Sequence, residues 1–118
     1  MTQHYIGTKI VLAYNMTKDG EPGYGITYPD GYSSWSPKKT FEEAYLAMGN
    51  VGQLPAHQQR LIGEEVQLRS MTEKLGNFIG SEVFHSLPNV EKAALTHQHG
   101  IMRQYLNVLQ DRISRIIR

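Results

Sequence analysis

Arg112 and Arg115 stand three residues apart near the end of the chain. Arg118 follows at the same interval, and Arg103 lies nine before Arg112. A guanidinium offers two parallel donors that match the oxygens of a phosphate, and it stays charged at neutral pH. The series therefore suits a phosphate clamp, and in an oligomer several copies could converge such arginines on one pocket. The plainer alternative is electrostatic, because cations in the last turn of a helix are favoured by its dipole by about 0.3–1 kcal/mol each. Two aromatic residues, Phe84 and Trp35, read first as core anchors and second as a platform for a base.

Other chemistry has less support. His97 and His99 are two apart and point to different sides of a helix, whereas a zinc pair on a helix wants a spacing of four. No metal site is expected. Glu42-Glu43 and Glu64-Glu65 are adjacent pairs that face different ways on helices, and they read as solvated faces rather than an acid/base dyad. The chain contains no Ser/His/Asp order, Gly-rich phosphate loop or zinc signature. The expectation is a binder that holds a ligand without cleaving it, with no cofactor.

These residues need elements to position them. Gly23 to Tyr28 alternates Tyr24, Ile26 and Tyr28 against small residues, a strand period of two. Pro29-Asp30-Gly31 is a turn and Tyr32 to Trp35 the returning strand, ended by Ser36-Pro37. Tyr5 to Tyr14 reads as a first strand and Met16 to Gly23 as a turn region. A helix is expected to begin at Thr40 as N-cap, with Phe41, Tyr45 and Met48 forming a stripe against the hairpin. Gly49 to Pro55 is the natural boundary between residues 1–50, a β-rich module, and residues 51–118, a helical one.

After Pro55 the pattern becomes helical. Leu61, Leu68, Met71, Leu75 and Phe78 make a heptad-like seam on a helix from Ala56 to Ile79. Ser81 is a cap for a short turn, Glu82 to Ser86, and Leu87-Pro88-Asn89 is a corner. A second long helix, Val90 to Ile117, carries Met102, Leu106, Leu109, Ile113 and Ile116. The fold class is α+β: a small antiparallel sheet with a short helix, then a long αα-hairpin. Gly63, Gly76 and Gly100 each cost roughly 1 kcal/mol in a helix interior and could mark close approach or a kink.

Composition narrows the function. The 118 residues carry a net charge of +1, too small for a general nucleic-acid coat, so no DNA partner is expected. There is no cysteine. No run approaches membrane-spanning length, and no leader-like apolar stretch opens the chain, so a soluble cytoplasmic protein is expected. Two apolar seams are more than one hairpin can cover, so an oligomer is expected too.

Two resemblances complete the reading. YIGTK at Tyr5 to Lys9, with GYGITYPDGYSSWSPK and FEEAY after it, resembles an N-terminal module of small proteins of tailed bacteriophages. The stretch from His57 to Ile113, HQQRLIGEE…MTEKLGNFIGSEVFHSLP…GIMRQYLNVLQDRI, is similar to the helical hairpin of small phage proteins. Together they resemble the first type of Thoeris anti-defence protein. That resemblance implies assembly through the helices, with a hexamer as the expected state. It also implies sequestration of cyclic nucleotide signals, cyclic ADP-ribose isomers or cyclic oligonucleotides, in the host bacterial cytoplasm, blocking Thoeris or CBASS immunity. It further implies Phe84, Arg112 and Arg115 as ligand contacts; Asn89, Arg103 and Trp35 are further candidates. The rival expectation is a phage structural or assembly protein that uses its hairpin only to oligomerise.

Overall fold

A computed structural model describes residues 1–116; Ile117 and Arg118, the last members of the expected helix and arginine series, lie outside the described residues. The chain divides into two compact units, Met1–Leu46 and Ala47–Arg118. The architecture is α+β, as the sequence pattern predicts.

The first unit is a three-stranded antiparallel sheet, β1 (Leu12–Lys18), β2 (Glu21–Thr27) and β3 (Ser33–Pro37), in that order, followed by a short helix α1 (Lys38–Ala44). The first strand lies later than Tyr5 to Tyr14. Asp19 and Gly20 both adopt positive φ, 51° and 79°, and close a two-residue loop that pairs Lys18 with Glu21. This is the geometry that matches strand twist. It fixes the register from the turn outward, so Met16 to Lys18 and Glu21 to Gly23 join the ladder instead of forming a broad turn. Pro22 is tolerated because β3 pairs with β2 only from Gly23 to Thr27, which leaves Pro22 flanked by β1 alone.

The second turn is as the sequence reads. Gly31 takes φ of 91° and donates to the Tyr28 carbonyl, while Asp30 accepts from the Tyr32 amide. The short helix begins before Thr40. Pro37 is its N-cap, and no side chain caps it. Proline's fixed φ and missing N–H suit the entry to a helix, and they displace the threonine cap. Phe41 stacks on Tyr24 at 4.3 Å and on Tyr45 at 4.8 Å, and the Tyr24 hydroxyl donates to Glu42 at 2.6 Å. Met48 is not on this helix, which has ended at Ala44.

The second unit is a helical hairpin: α2 (Ala56–Ile79), a single turn α3 (Glu82–His85) and α4 (Asn89–Ser114). Pro55 starts α2 and Gly80 ends it. Ser81 caps α3 by accepting from the Phe84 amide at 3.3 Å. Leu61, Leu68 and Leu109 form the core, with Met102, Leu106, Ile113 and Ile116 against it. Met71, expected in the seam, is 53% exposed. The inward positions of α2 run through Leu61, Glu65, Leu68 and Thr72, spaced four, three and four, so two seam positions are polar. Thr72 satisfies itself by donating to the Leu68 carbonyl at 2.7 Å. Among the described residues, no helix is long and apolar enough to cross a membrane.

Candidate functional site

The six expected contacts are distributed rather than gathered. Trp35 belongs to the sheet, where it is half-buried. Its Nε1 donates to the Met16 carbonyl at 2.8 Å, and its ring lies over Gly23, where a Cβ would stand 2.6 Å from Cζ2. Lys18 Nζ lies 5.6 Å from the ring centroid. The remaining five lie in the hairpin. Phe84 is 6% exposed and meets Phe78 edge-on at 6.1 Å, so within one chain it is a core residue of the corner. Asn89 opens α4 and is exposed.

Arg112 and Arg115 close α4 at its other end, roughly 35 Å along the helix from Asn89 at about 1.5 Å per residue. Arg115 is engaged by Asp111 in an ion pair. Arg112 shares a helix face with Tyr105, whose hydroxyl donates to Glu64 of α2. That hydrogen bond, together with burial and the Glu64 charge, pushes the Tyr105 phenol above its ordinary value, while Arg112 pulls it down. Arg103 and Arg112 are nine residues apart, two and a half turns at about 3.6 residues per turn, so they project from opposite sides of α4. One hairpin therefore cannot bring them into one site.

Arg103 instead lines an open groove of about 540 Å³ between α2 and α4, with Arg69, Glu73, Asn77 and His99 around it and Thr72, Gly76 and Leu106 beneath. Gly76 gives the groove its depth: a Cβ there would stand 3.0 Å from His99 Nε2. This is the close approach that one of the three helix glycines marks. Among the described residues, Gly63 meets only Met48 at ordinary contact distance, and Gly100 faces open space.

Arg69 was not among the residues singled out from sequence, and Glu65 is not the solvated residue expected. Glu65 is 7% exposed. Arg69 donates to it through Nε at 2.9 Å and Nη2 at 3.2 Å, and Gln110 from α4 reaches it at 3.4 Å. The hydrogen bond to Glu65 raises the Arg69 pKa further, so its charge is fixed. A second groove, of about 660 Å³, lies beside this pair, walled by Met48, Val51, Ile62, Val66 and Ile113. The Glu65–Arg69 spacing of four on a helix was the available signal. Among the described residues, no group of three potential ligands could hold a metal ion.

A sequence model of the Sequestin family matches residues 55–115, just over half of the chain and nearly all of the hairpin. The chain belongs to the Sequestin family. Sequestins are Thoeris anti-defence sponges, so the family that the N-terminal module and the hairpin together resemble is the one found, with the match confined to the hairpin. The chain is thus a sequestering anti-defence protein by family. The sheet lies outside the match. No curated protein and no solved structure matches the chain significantly.

Proposed function

We propose that this Sequestin is a phage sponge that binds a cyclic nucleotide immune signal in the host bacterial cytoplasm and holds it away from its effector. Cyclic ADP-ribose isomers are the first ligand class and cyclic oligonucleotides the second, corresponding to Thoeris and CBASS signalling. The observation that carries the reading is the α2–α4 groove, where a chain of a sequestering family gathers Arg69, Arg103, His99 and Asn77. Arginine forks match phosphate oxygens, and imidazole and amide groups suit the sugar and base. Sequestration needs affinity and no turnover, so the ligand leaves as it entered.

Assembly is part of the proposal. Phe84 and Asn89 lie at one end of α4, and Arg112 and Arg115 at the other. A site using both groups takes them from two copies. Ile101, Tyr105 and Val108 leave α4 with an apolar face that is 51%, 44% and 55% exposed, which suits packing against another copy in a homo-oligomer, a hexamer being the expected state.

The test mixes purified protein with each signal, removes unbound ligand and then heats the complex. Recovery of unaltered ligand supports the sponge. Altered ligand would mean an enzyme. No uptake of any signal by an oligomeric protein would favour the structural or assembly role.

A further inference from the structure

Glu65 presents a problem that packing does not solve. It occupies an inward position of α2 between Leu61 and Leu68, yet it is a carboxylate and 7% exposed. A buried ion pair is weak support for a fold, and an apolar side chain of similar size would serve the seam at least as well. What Glu65 does uniquely is grip Arg69. It takes the side edge of the guanidinium, Nε and Nη2, at 2.9 and 3.2 Å, and Gln110 steadies the carboxylate from α4.

A guanidinium has a second edge. With Nε and one Nη2 hydrogen occupied, Nη1 and the other Nη2 hydrogen form a two-donor fork whose plane is set by Glu65. The Arg69 side chain is 48% exposed and lines the groove that also holds Arg103. A fork fixed in this way loses less side-chain entropy on taking an oxyanion than a mobile surface arginine would.

We infer that Glu65 is a positioning residue that holds Arg69 as a preorganised phosphate fork, and that the groove takes the ribose–phosphate part of its ligand. The charge balance supports the second half. Glu73 also lines the groove, so the lining is not a purely cationic patch built for any polyanion. A carboxylate beside an arginine fork suits ribose hydroxyls, which donate, next to phosphate oxygens, which accept. The inference rests on the sponge reading and adds to it two residues, Arg69 and Glu65.

The experiment is a mutant cycle by calorimetry, titrating cyclic ADP-ribose isomers into the full chain. Arg69→Ala should weaken binding roughly tenfold to a hundredfold, the range for a charge-assisted hydrogen bond. Glu65→Gln should lose part of that, and the double variant should be no weaker than Arg69→Ala alone. Arg69→Lys keeps the charge and the core but lacks the fork, so it should bind like Arg69→Ala even where Glu65→Gln fails to fold. Wild-type affinity in Arg69→Lys or Arg69→Ala would overturn the fork while leaving the sponge standing. An equal Glu65→Gln loss in the Arg69→Ala background would make Glu65 structural only and overturn its positioning role. No uptake by the wild type of either cyclic ADP-ribose isomers or cyclic oligonucleotides would overturn both readings.

Discussion

His99 lies across Gly76, close enough to crowd any side chain placed there: a Cβ on the glycine would stand 3.0 Å from the imidazole Nε2. Gly100 has no such neighbour, since none of the described residues lies within 4 Å of its Cβ position. Both lie on long helices, where glycine costs about 1 kcal/mol relative to alanine. Gly100→Ala should therefore raise the stability of the chain by about 1 kcal/mol. Gly76→Ala should gain distinctly less, because the imidazole must shift. Urea unfolding midpoints compare the two, and an equal or larger gain at Gly76 would contradict the contact.

Phe84 tests whether the corner is built around packing. With its ring buried and set edge-on against Phe78, Phe84→Ala should cost about 3–5 kcal/mol of stability in the absence of ligand. Phe84→Leu, which keeps most of the volume, should cost much less. Thermal melts of the unliganded variants are the measurement. An unchanged melting temperature in Phe84→Ala would return the ring to the ligand.

Much of the hairpin was legible because its boundaries are marked by residues with one strong meaning. Pro55 opens α2, Gly80 and Ser81 close it, and Pro88 opens α4. The seam was read less well because apolarity was the guide. Glu65 and Thr72 hold inward positions through their own hydrogen bonds, and a pattern of leucines passes over them to Met71. The sheet showed the opposite bias. The β-branched run Tyr5 to Val11 attracted a strand, but the Asp19-Gly20 loop sets the register and leaves residues 5–11 outside the ladder. The opposition of Arg103 and Arg112 follows from their spacing of nine once the helix is accepted, whereas the groove around Arg103 needed the second helix to become visible.

Assembly can be separated from folding by two neighbouring residues of α4. Leu109 is 1% exposed and belongs to the core of the hairpin, so Leu109→Asp should unfold the second unit rather than only dissociate copies. Val108 points outward at 55% exposure. Val108→Asp should keep the helical circular dichroism of the wild type and lower the mass seen by light scattering. A monomeric wild type at micromolar concentration would remove the basis for a site shared between copies.

Arg112 and Tyr105 offer a pH test of the face opposite the groove. The Glu64 hydrogen bond raises the Tyr105 phenol above its ordinary value of 10.0, with burial and the Glu64 charge adding to the rise and Arg112 opposing it. A raised folded value means that the stabilisation is fully present below the unfolded value and is lost as pH climbs through the folded one. Stability should therefore hold to about pH 10 and fall beyond it, and Tyr105→Phe should flatten that alkaline limb. Arg112→Ala should push the Tyr105 titration still higher, because the opposing charge is gone. Tyrosinate absorbance, taken as the difference between each protein and its Tyr105→Phe counterpart, isolates this phenol from the other six tyrosines. A downward shift in Arg112→Ala would mean that the guanidinium does not face Tyr105, and Arg112 would then have to be assigned to a different surface of α4.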